Sequence, residues 1–326
     1  MTAHEDWQKH QVDDVNVADD VRLRVYQAGQ GFPVVLLHGF PELAYSWRHQ
    51  VPFLAEHGYR VITPDQRGYG GSSRPEAIEA YDLDSLAGDV ASLIDALGEE
   101  QAVVIGHDWG SPVAWHTALV HPDRVRAVGS LSVPHQQRGD RLPLEVMREI
   151  AGPEHVFYID YFQQPRVVDA ELMEDVERNI LGFMWSISGD APPDERFRPI
   201  RKGERFVDVF GPPAELPTWL SAEELAVYVE TFRQTGFTGG LNWYRNVNRN
   251  WERSPHLAGT LVEQPALFVT GSRDPARNPA AMERLPGVVP NLLVNEVIKG
   301  CGHWTQQERP DEVNQHLLAF LRAAGV

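Results

Sequence analysis

An aspartate flanked by glycines stands where a nucleophile would be expected. Asp108 is the central residue of Gly-His-Asp-Trp-Gly (residues 106–110), which follows an apolar run ending at Ile105 and precedes a segment with Pro112 in its first turn. This order, a strand followed by G-x-nucleophile-x-G and then a helix, is that of a nucleophile elbow. In such an elbow a sharp turn lifts the central side chain out of the sheet. A carboxylate there attacks a saturated carbon that carries a leaving group, and water must then hydrolyse the resulting alkyl ester.

Ester hydrolysis requires a base and a group that orients it. His303 lies in a glycine-rich loop after the strand predicted at 292–298, and it follows Asp108 in the chain order usual for this arrangement. We therefore predict that His303 activates the water. Asp274 is the acidic residue in the turn after the strand predicted at 266–270. The other possible location, the loop after the strand predicted at 125–128, carries no carboxylate. By elimination, Asp274 is predicted to orient His303.

Backbone donors are needed for the negative charge that develops on the carboxyl oxygen of Asp108 during hydrolysis. One is the N–H of Trp109, which comes directly after the nucleophile. The second is expected in the loop after the strand predicted at 34–37, where the Phe40 N–H is the candidate and Pro41 fixes the turn beyond it.

Alternating strands and helices must position these groups. Short apolar or alternating runs predict strands at residues 21–27, 34–37, 61–63, 102–105, 125–128, 266–270 and 292–298. Helices are predicted at 83–97, where apolar residues recur every three to four positions, and at 312–324. The residues before Val21 are interpreted as a short polar lead. This order predicts an α/β fold with a mostly parallel central sheet, in which functional groups follow the carboxyl ends of the strands.

The alternation is interrupted over residues 138–253. This stretch shows no convincing strand pattern, but it contains helical patterns at 168–185 and at 221–235, and the second opens with a Ser-x-x-Glu capping box. We therefore predict one α/β core domain formed by residues 1–137 and 254–326, into which a helical lid (cap) domain is inserted.

Composition excludes several classes of partner. The 326 residues include 29 Lys and Arg against 46 Asp and Glu, which gives a net charge of −17 and argues against nucleic acids and anionic membranes as partners. The single cysteine, Cys301, cannot form an internal disulfide or a thiolate zinc site. No signal-like segment and no apolar run near the roughly 20 residues of a membrane span occurs, so we expect a cytoplasmic protein.

Four motifs taken together resemble the α/β-hydrolase-fold epoxide hydrolases, of the soluble epoxide hydrolase type. They are His-Gly-Phe-Pro at 38–41, Asp-Gln-Arg-Gly-Tyr-Gly at 65–70, Gly-His-Asp-Trp-Gly at 106–110 and Gly-His-Trp at 302–304. The resemblance extends from about Val21 to Leu321. It implies the α/β-hydrolase fold and the cofactor-independent conversion of a small-molecule epoxide and water into a vicinal diol, by a monomer or a homodimer.

The resemblance also implies two lid tyrosines that hydrogen-bond the epoxide oxygen, because an alkoxide leaves poorly unless an acid with a pKa of about 10 donates to it. Tyr158 and Tyr244 stand in matching segments. Tyr161 is a close neighbour, but the spacing to the following Phe-Gln pair favours Tyr158. With Phe40 and Trp109, the two tyrosines are expected to line the substrate site.

Two other functions share features with this sequence: a haloalkane dehalogenase and a non-catalytic receptor. A haloalkane dehalogenase shares the fold, the aspartate nucleophile and the His/Asp pair, and Trp109 could bind a halide. However, Phe40 stands where those enzymes typically carry asparagine or glutamate, and no arginine follows Asp108 in the Asp-x-x-Arg pattern of fluoroacetate-type enzymes. A non-catalytic receptor with the same pocket would be expected to have lost Asp108, His303 or a lid tyrosine, and none is lost.

Overall fold

A central eight-stranded sheet organises the computed structural model, which describes residues 3–326. The strands are β1 (Gln11–Ala18), β2 (Val21–Ala28), β3 (Phe32–Leu37), β4 (Tyr59–Asp65), β5 (Ala102–His107), β6 (Val125–Leu131), β7 (His155–Val156), β8 (Ile200–Arg201), β9 (Ala266–Gly271) and β10 (Leu292–Ile298). The sheet order is β1-β2-β4-β3-β5-β6-β9-β10, and β7 pairs only with β8. β2 pairs antiparallel with β1 and with β4, and the other five pairs of the sheet are parallel. The predicted mostly parallel α/β fold is therefore confirmed.

Helices cover the sheet and fill the segment between β6 and β9. They are α1 (Ala3–Trp7), α2 (Gln50–Glu56), α3 (Leu83–Ala96), α4 (Gly110–Val120), α5 (Pro143–Ala151), α6 (Tyr158–Tyr161), α7 (Val167–Glu174), α8 (Val176–Ser186), α9 (Ala222–Thr235), α10 (Thr238–Arg245), α11 (Val247–Arg253), α12 (Pro279–Val288), α13 (Thr305–Glu308) and α14 (Pro310–Ala323). Every residue of β5 and β9 is buried, as expected for strands covered on both faces. Within residues 3–326, no helix is long and apolar enough to cross a membrane.

The segment before Val21 is not a polar lead, as the sequence suggested, but contains α1 and the edge strand β1. β1 was missed because an edge strand buries little: its residues alternate only between exposed and half-buried. Its acidic residue Asp14 pairs with Arg22 and with Arg24 Nε, the latter at 2.6 Å, on the neighbouring strand. Charge pairing therefore supports a strand that hydrophobic patterning did not reveal.

The segment between β6 and β9 is mainly helical, with two departures from prediction. The short strands β7 and β8 pair antiparallel, although no strand was predicted there. The helix predicted at 168–185 is two helices, because Asp175 takes a non-helical conformation (φ −149°) and its carboxylate accepts the Arg178 N–H at 3.1 Å, which caps α8. The predicted capping box is present: Ser221 Oγ accepts the Glu224 N–H at the start of α9. The division into core and lid domains stays a prediction.

Candidate active site

Asp108 lies in the sharp turn between β5 and α4. Its φ of +49° is in the left-handed region that residues other than glycine seldom adopt. Glycine is required in this turn and in the loop after β3 that faces it: a Cβ on Gly106 would lie 1.9 Å from the Gly110 carbonyl oxygen, and one on Gly39 would lie 2.4 Å from Asp108 Oδ1. The local sequence therefore permits a strained turn that holds the carboxylate against the neighbouring loop.

His303 stands between two carboxylates. Its Nε2 lies 3.4 Å from Asp108 Oδ2, and its Nδ1 lies 2.9 Å from Asp274 Oδ1. Asp274 Oδ1 also accepts the Ala276 N–H at 2.8 Å, which fixes the carboxylate in the turn after β9. His303 and Asp274 are 3% and 6% exposed. The structure thus brings together three residues that the sequence analysis selected from three separate loops.

Burial and nearby charges shift the pKa values of His303 and Asp274 in opposite directions. Burial alone would lower the pKa of His303, but attraction to Asp274 and a hydrogen bond to Asp108 outweigh it and raise that pKa well above the ordinary value. Burial would raise the pKa of Asp274, but attraction to His303 and the hydrogen bond with it hold that pKa below its usual range. These interactions favour the imidazolium form of His303 beside an ionised Asp274 in the free site.

The loop after β3 supplies one donor to the nucleophile. The Phe40 N–H donates to Asp108 Oδ1 at 2.8 Å. The role of Phe40 as an oxyanion donor stays a prediction. Trp109 precedes the first residue of α4 and its side chain is partly buried. Donation by its backbone N–H stays a prediction.

Tyr158, on α6, and Tyr244, on α10, lie beside each other, with ring centroids 6.0 Å apart. The Tyr244 ring packs edge-on against Trp109 at 5.1 Å and Phe40 at 5.5 Å. Burial, followed by the nearby charge of Asp108, raises the pKa of both phenols above the ordinary value of 10.0. Both hydroxyls therefore remain protonated at neutral pH and can donate hydrogen bonds.

Tyr161, the neighbour that could be confused with Tyr158, has a different environment. Its hydroxyl donates to Glu171 Oε1 at 2.6 Å. Burial and this hydrogen bond raise the pKa of Tyr161 to about 12. Because its hydroxyl is already bound to a carboxylate, Tyr161 is less suited than Tyr158 to donate to a substrate.

Sequence reasoning missed a buried carboxylate–histidine pair behind the nucleophile. Glu42 Oε2 lies 2.6 Å from His107 Nδ1, and it also accepts the Gly39 N–H at 2.9 Å. The other ring nitrogen of His107 lies 2.7 Å from the carbonyl oxygen of His303. Burial would raise the pKa of Glu42, but attraction to His107 outweighs it and lowers that pKa to about 2. The available signal was an acidic residue directly after the His-Gly-Phe-Pro motif.

Comparison with known proteins identifies the relatives of this chain. A family model described as alpha/beta hydrolase fold matches residues 33–166. The chain is 50% identical to epoxide hydrolase A of Mycobacterium tuberculosis over 304 residues, which are 92% of this chain and 94% of that protein. The chain belongs to the epoxide hydrolases. The family predicted from the four motifs is confirmed.

Solved structures of epoxide hydrolases share its architecture. The crystal structure of epoxide hydrolase A from Mycobacterium thermoresistibile superposes with a TM-score of 0.90 at 48% identity, covering 96% of this chain and 98% of that one. An epoxide hydrolase from an endophytic Streptomyces superposes with a TM-score of 0.91 at 42% identity, covering 96% and 95% of the two chains. This epoxide hydrolase therefore has the α/β-hydrolase fold over nearly its whole length.

Proposed function

We propose that this protein converts an epoxide and water into a vicinal diol through a covalent ester on Asp108. The observation that carries the proposal is an aspartate in a nucleophile elbow beside two adjacent phenols: the Tyr244 ring lies 5.1 Å from the Trp109 ring, next to the nucleophile, and 6.0 Å from the Tyr158 ring. A halide needs no proton donor when it leaves, whereas an alkoxide does. This combination therefore favours epoxide chemistry over dehalogenation.

Ring opening uses the carboxylate oxygen that no backbone donor holds. Asp108 Oδ1 is bound by the Phe40 N–H at 2.8 Å, so Oδ2 attacks the epoxide carbon. The new C–O bond forms as the bond from that carbon to the epoxide oxygen breaks. The departing oxygen gains negative charge, and hydrogen bonds from Tyr158 and Tyr244 stabilise it until it takes up a proton.

Esterification changes the electrostatics of the base. Once Asp108 is an ester, its negative charge is gone and the pKa of His303 falls, because one of the interactions that raised it is lost. The proton that leaves the imidazolium balances the one that the alkoxide takes up. Neutral His303, oriented by Asp274, then accepts a proton from the water that attacks the carboxyl carbon of Asp108.

Hydrolysis places a negative charge on Asp108 Oδ1. The Phe40 N–H already points at this oxygen, and the Trp109 N–H is the proposed second donor. When this intermediate collapses, the bond between the carboxyl carbon and Oδ2 breaks, and Oδ2 leaves with the diol and takes up the second proton of the water. One oxygen of the water stays in the carboxylate, and His303 keeps the first proton. The protein thus uses His303 and Asp274 in the second half-reaction and the tyrosines in the first.

The test is to trap the ester. In His303→Gln the ring should open and the reaction should then stop, so intact-protein mass should rise by the mass of the epoxide. Wild-type protein should be assayed beside it on aryl, alkyl and terpenoid epoxides and on haloalkanes. Release of halide without formation of diol would favour a dehalogenase. Binding of these compounds without turnover of any epoxide or haloalkane would favour a receptor. Normal turnover by His303→Gln would show that another group is the base.

The compartment and assembly belong to the same proposal. We place the protein in the cytoplasm, supported by its single cysteine, Cys301, which is buried as a free thiol. It acts as a monomer or a homodimer, and nucleic acids are not among its partners, in keeping with its net charge of −17.

A further inference from the structure

Glu308, at the end of α13, is a buried carboxylate to which three backbone N–H groups donate. Its Oε2 accepts the N–H of Gly189 at 2.9 Å and that of Gly302 at 2.8 Å, and its Oε1 accepts the N–H of Trp304 at 3.1 Å. The residue is 5% exposed. Burial raises the pKa of Glu308, and the three N–H donors oppose this shift because hydrogen bonds to a carboxylate favour its ionised form. The carboxylate and its donors therefore hold each other in place.

The donors come from two parts of the chain that are distant in sequence. Gly302 and Trp304 flank His303, whereas Gly189 follows helix α8 in the segment between β6 and β9. The His303 N–H itself donates to the carbonyl oxygen of Ile187 at 3.0 Å. The loop that carries His303 is therefore bound on both sides of this residue to Glu308, and at the residue itself to the segment after α8.

The two backbones are in direct contact. A Cβ on Gly302 would lie 2.0 Å from the Gly189 nitrogen, and a Cβ on Gly189 would lie 2.2 Å from the Gly300 carbonyl oxygen. The Arg273 guanidinium donates to the Gly189 carbonyl oxygen at 2.6 Å. Displacement of either backbone must therefore displace the other, because a closely packed interior leaves no room for one to move alone.

We infer that Glu308 is a positioning residue for His303 and that it ties the histidine loop to the segment after α8. The inference rests on the proposed function, in which His303 serves hydrolysis of the ester on Asp108 and not its formation. Loss of the Glu308 hydrogen bonds should therefore slow hydrolysis far more than ring opening. A misplacement of about 1 Å can cost about a hundredfold in rate.

The experiment uses Glu308→Gln, which keeps the size of the side chain but replaces one acceptor oxygen by an amino group that opposes a backbone donor. Glu312→Gln is the matched control, because Glu312 is an exposed residue of α14 four positions later. Each protein is mixed rapidly with a terminal aryl epoxide, and intact-protein mass gives the rates of ester formation and hydrolysis. We expect hydrolysis to fall roughly tenfold to a hundredfold in Glu308→Gln and formation to stay within about threefold of wild type.

A folded Glu308→Gln that hydrolyses the ester at the wild-type rate, or that slows both steps equally, would overturn the inference even if its melting temperature were lower. If this variant does not fold, Glu308→Asp, which retains the charge but withdraws the oxygens by one methylene, is measured in the same way, and the same split between steps is expected. A wild-type protein that forms no ester with any epoxide tested would instead refute the proposed function, and the inference with it.

Discussion

The loops that follow the strands of the central sheet and the helical segment between β6 and β9 (the covering segment) hold their functional groups by different means. In the core, Asp108, His303 and Asp274 are joined to each other and to backbone N–H groups by hydrogen bonds and ion pairs of 2.8 to 3.4 Å. In the covering segment, Tyr244 and Tyr158 are placed mainly by edge-on ring contacts, with centroids 5.1 to 6.2 Å from their aromatic neighbours.

This difference indicates how precisely each region fixes its groups. Hydrogen bonds to charged groups have narrow distance and angle requirements, so they fix the reacting oxygen and the base. Ring contacts tolerate small displacements, because many weak dispersion contacts share the interaction. We therefore expect core substitutions to abolish a step and tyrosine substitutions to reduce one.

The largest effect is expected for Asp108→Asn. The amide matches the carboxylate in shape but is a poor nucleophile, so diol formation should fall roughly 10⁴-fold or more. The unfolding midpoint should change little. In a single turnover of wild-type protein in ¹⁸O water, the diol should contain no label, because its new oxygen comes from the carboxylate. A labelled diol in that turnover would establish direct attack by water and refute the ester.

Substitution of the two tyrosines should lower the rate of ring opening in steps. Hydrogen bonds to a charged acceptor contribute roughly 1.5–3 kcal/mol each, so Tyr158→Phe and Tyr244→Phe should each slow ring opening about tenfold to a hundredfold. The double variant should be nearly inactive, while hydrolysis of preformed ester should change much less. Tyr161→Phe is the matched control, since its hydroxyl donates to Glu171. A double variant that opens epoxides at the wild-type rate would refute these roles.

The contrast between the two regions also explains what could be predicted from the sequence. Asp108 and Asp274 follow the buried strands β5 and β9, and His303 follows the more exposed edge strand β10; short runs rich in apolar residues reveal all three strands, and the fold brings their ends together. Tyr158 and Tyr244 lie on helices with no comparable signal, because an aromatic residue on a helix is usually a packing residue. Only the family resemblance selected them.

Two groups escaped prediction for a common reason. Glu42 and Glu308 stand close to recognised motifs, but each pairs with a group that is distant in the sequence: Glu42 with His107 and Glu308 with the Gly189 N–H. Such pairings depend on the tertiary arrangement and leave no spacing in the sequence. The edge strand β1 was missed for a different reason, because it buries little apolar surface and its charged side chains pair with β2.

The smallest effect is expected for the contribution of the Glu42–His107 pair to the stability of the folded protein in acid. The folded-state pKa of Glu42, about 2, is lower than its ordinary value of 4.5. The stabilisation that Glu42 contributes is therefore complete above about pH 4.5 and is lost as the pH falls toward 2. Between about pH 4.5 and pH 2, the free energy of unfolding should fall by up to about 1.4 kcal/mol per pH unit because of this group.

Urea unfolding of wild type and Glu42→Gln from pH 7 to pH 3 measures this contribution. Their difference in free energy of unfolding should be constant from pH 7 to about pH 5 and should shrink below that, because Gln cannot titrate. Tyr158→Phe, which removes no group that titrates in this range, should differ from wild type by a constant amount at every pH. A constant difference for Glu42→Gln as well would mean that the carboxylate is not held by His107 in the folded protein, and the contrast between a core fixed by charge and a covering segment fixed by ring packing would then fail at this pair.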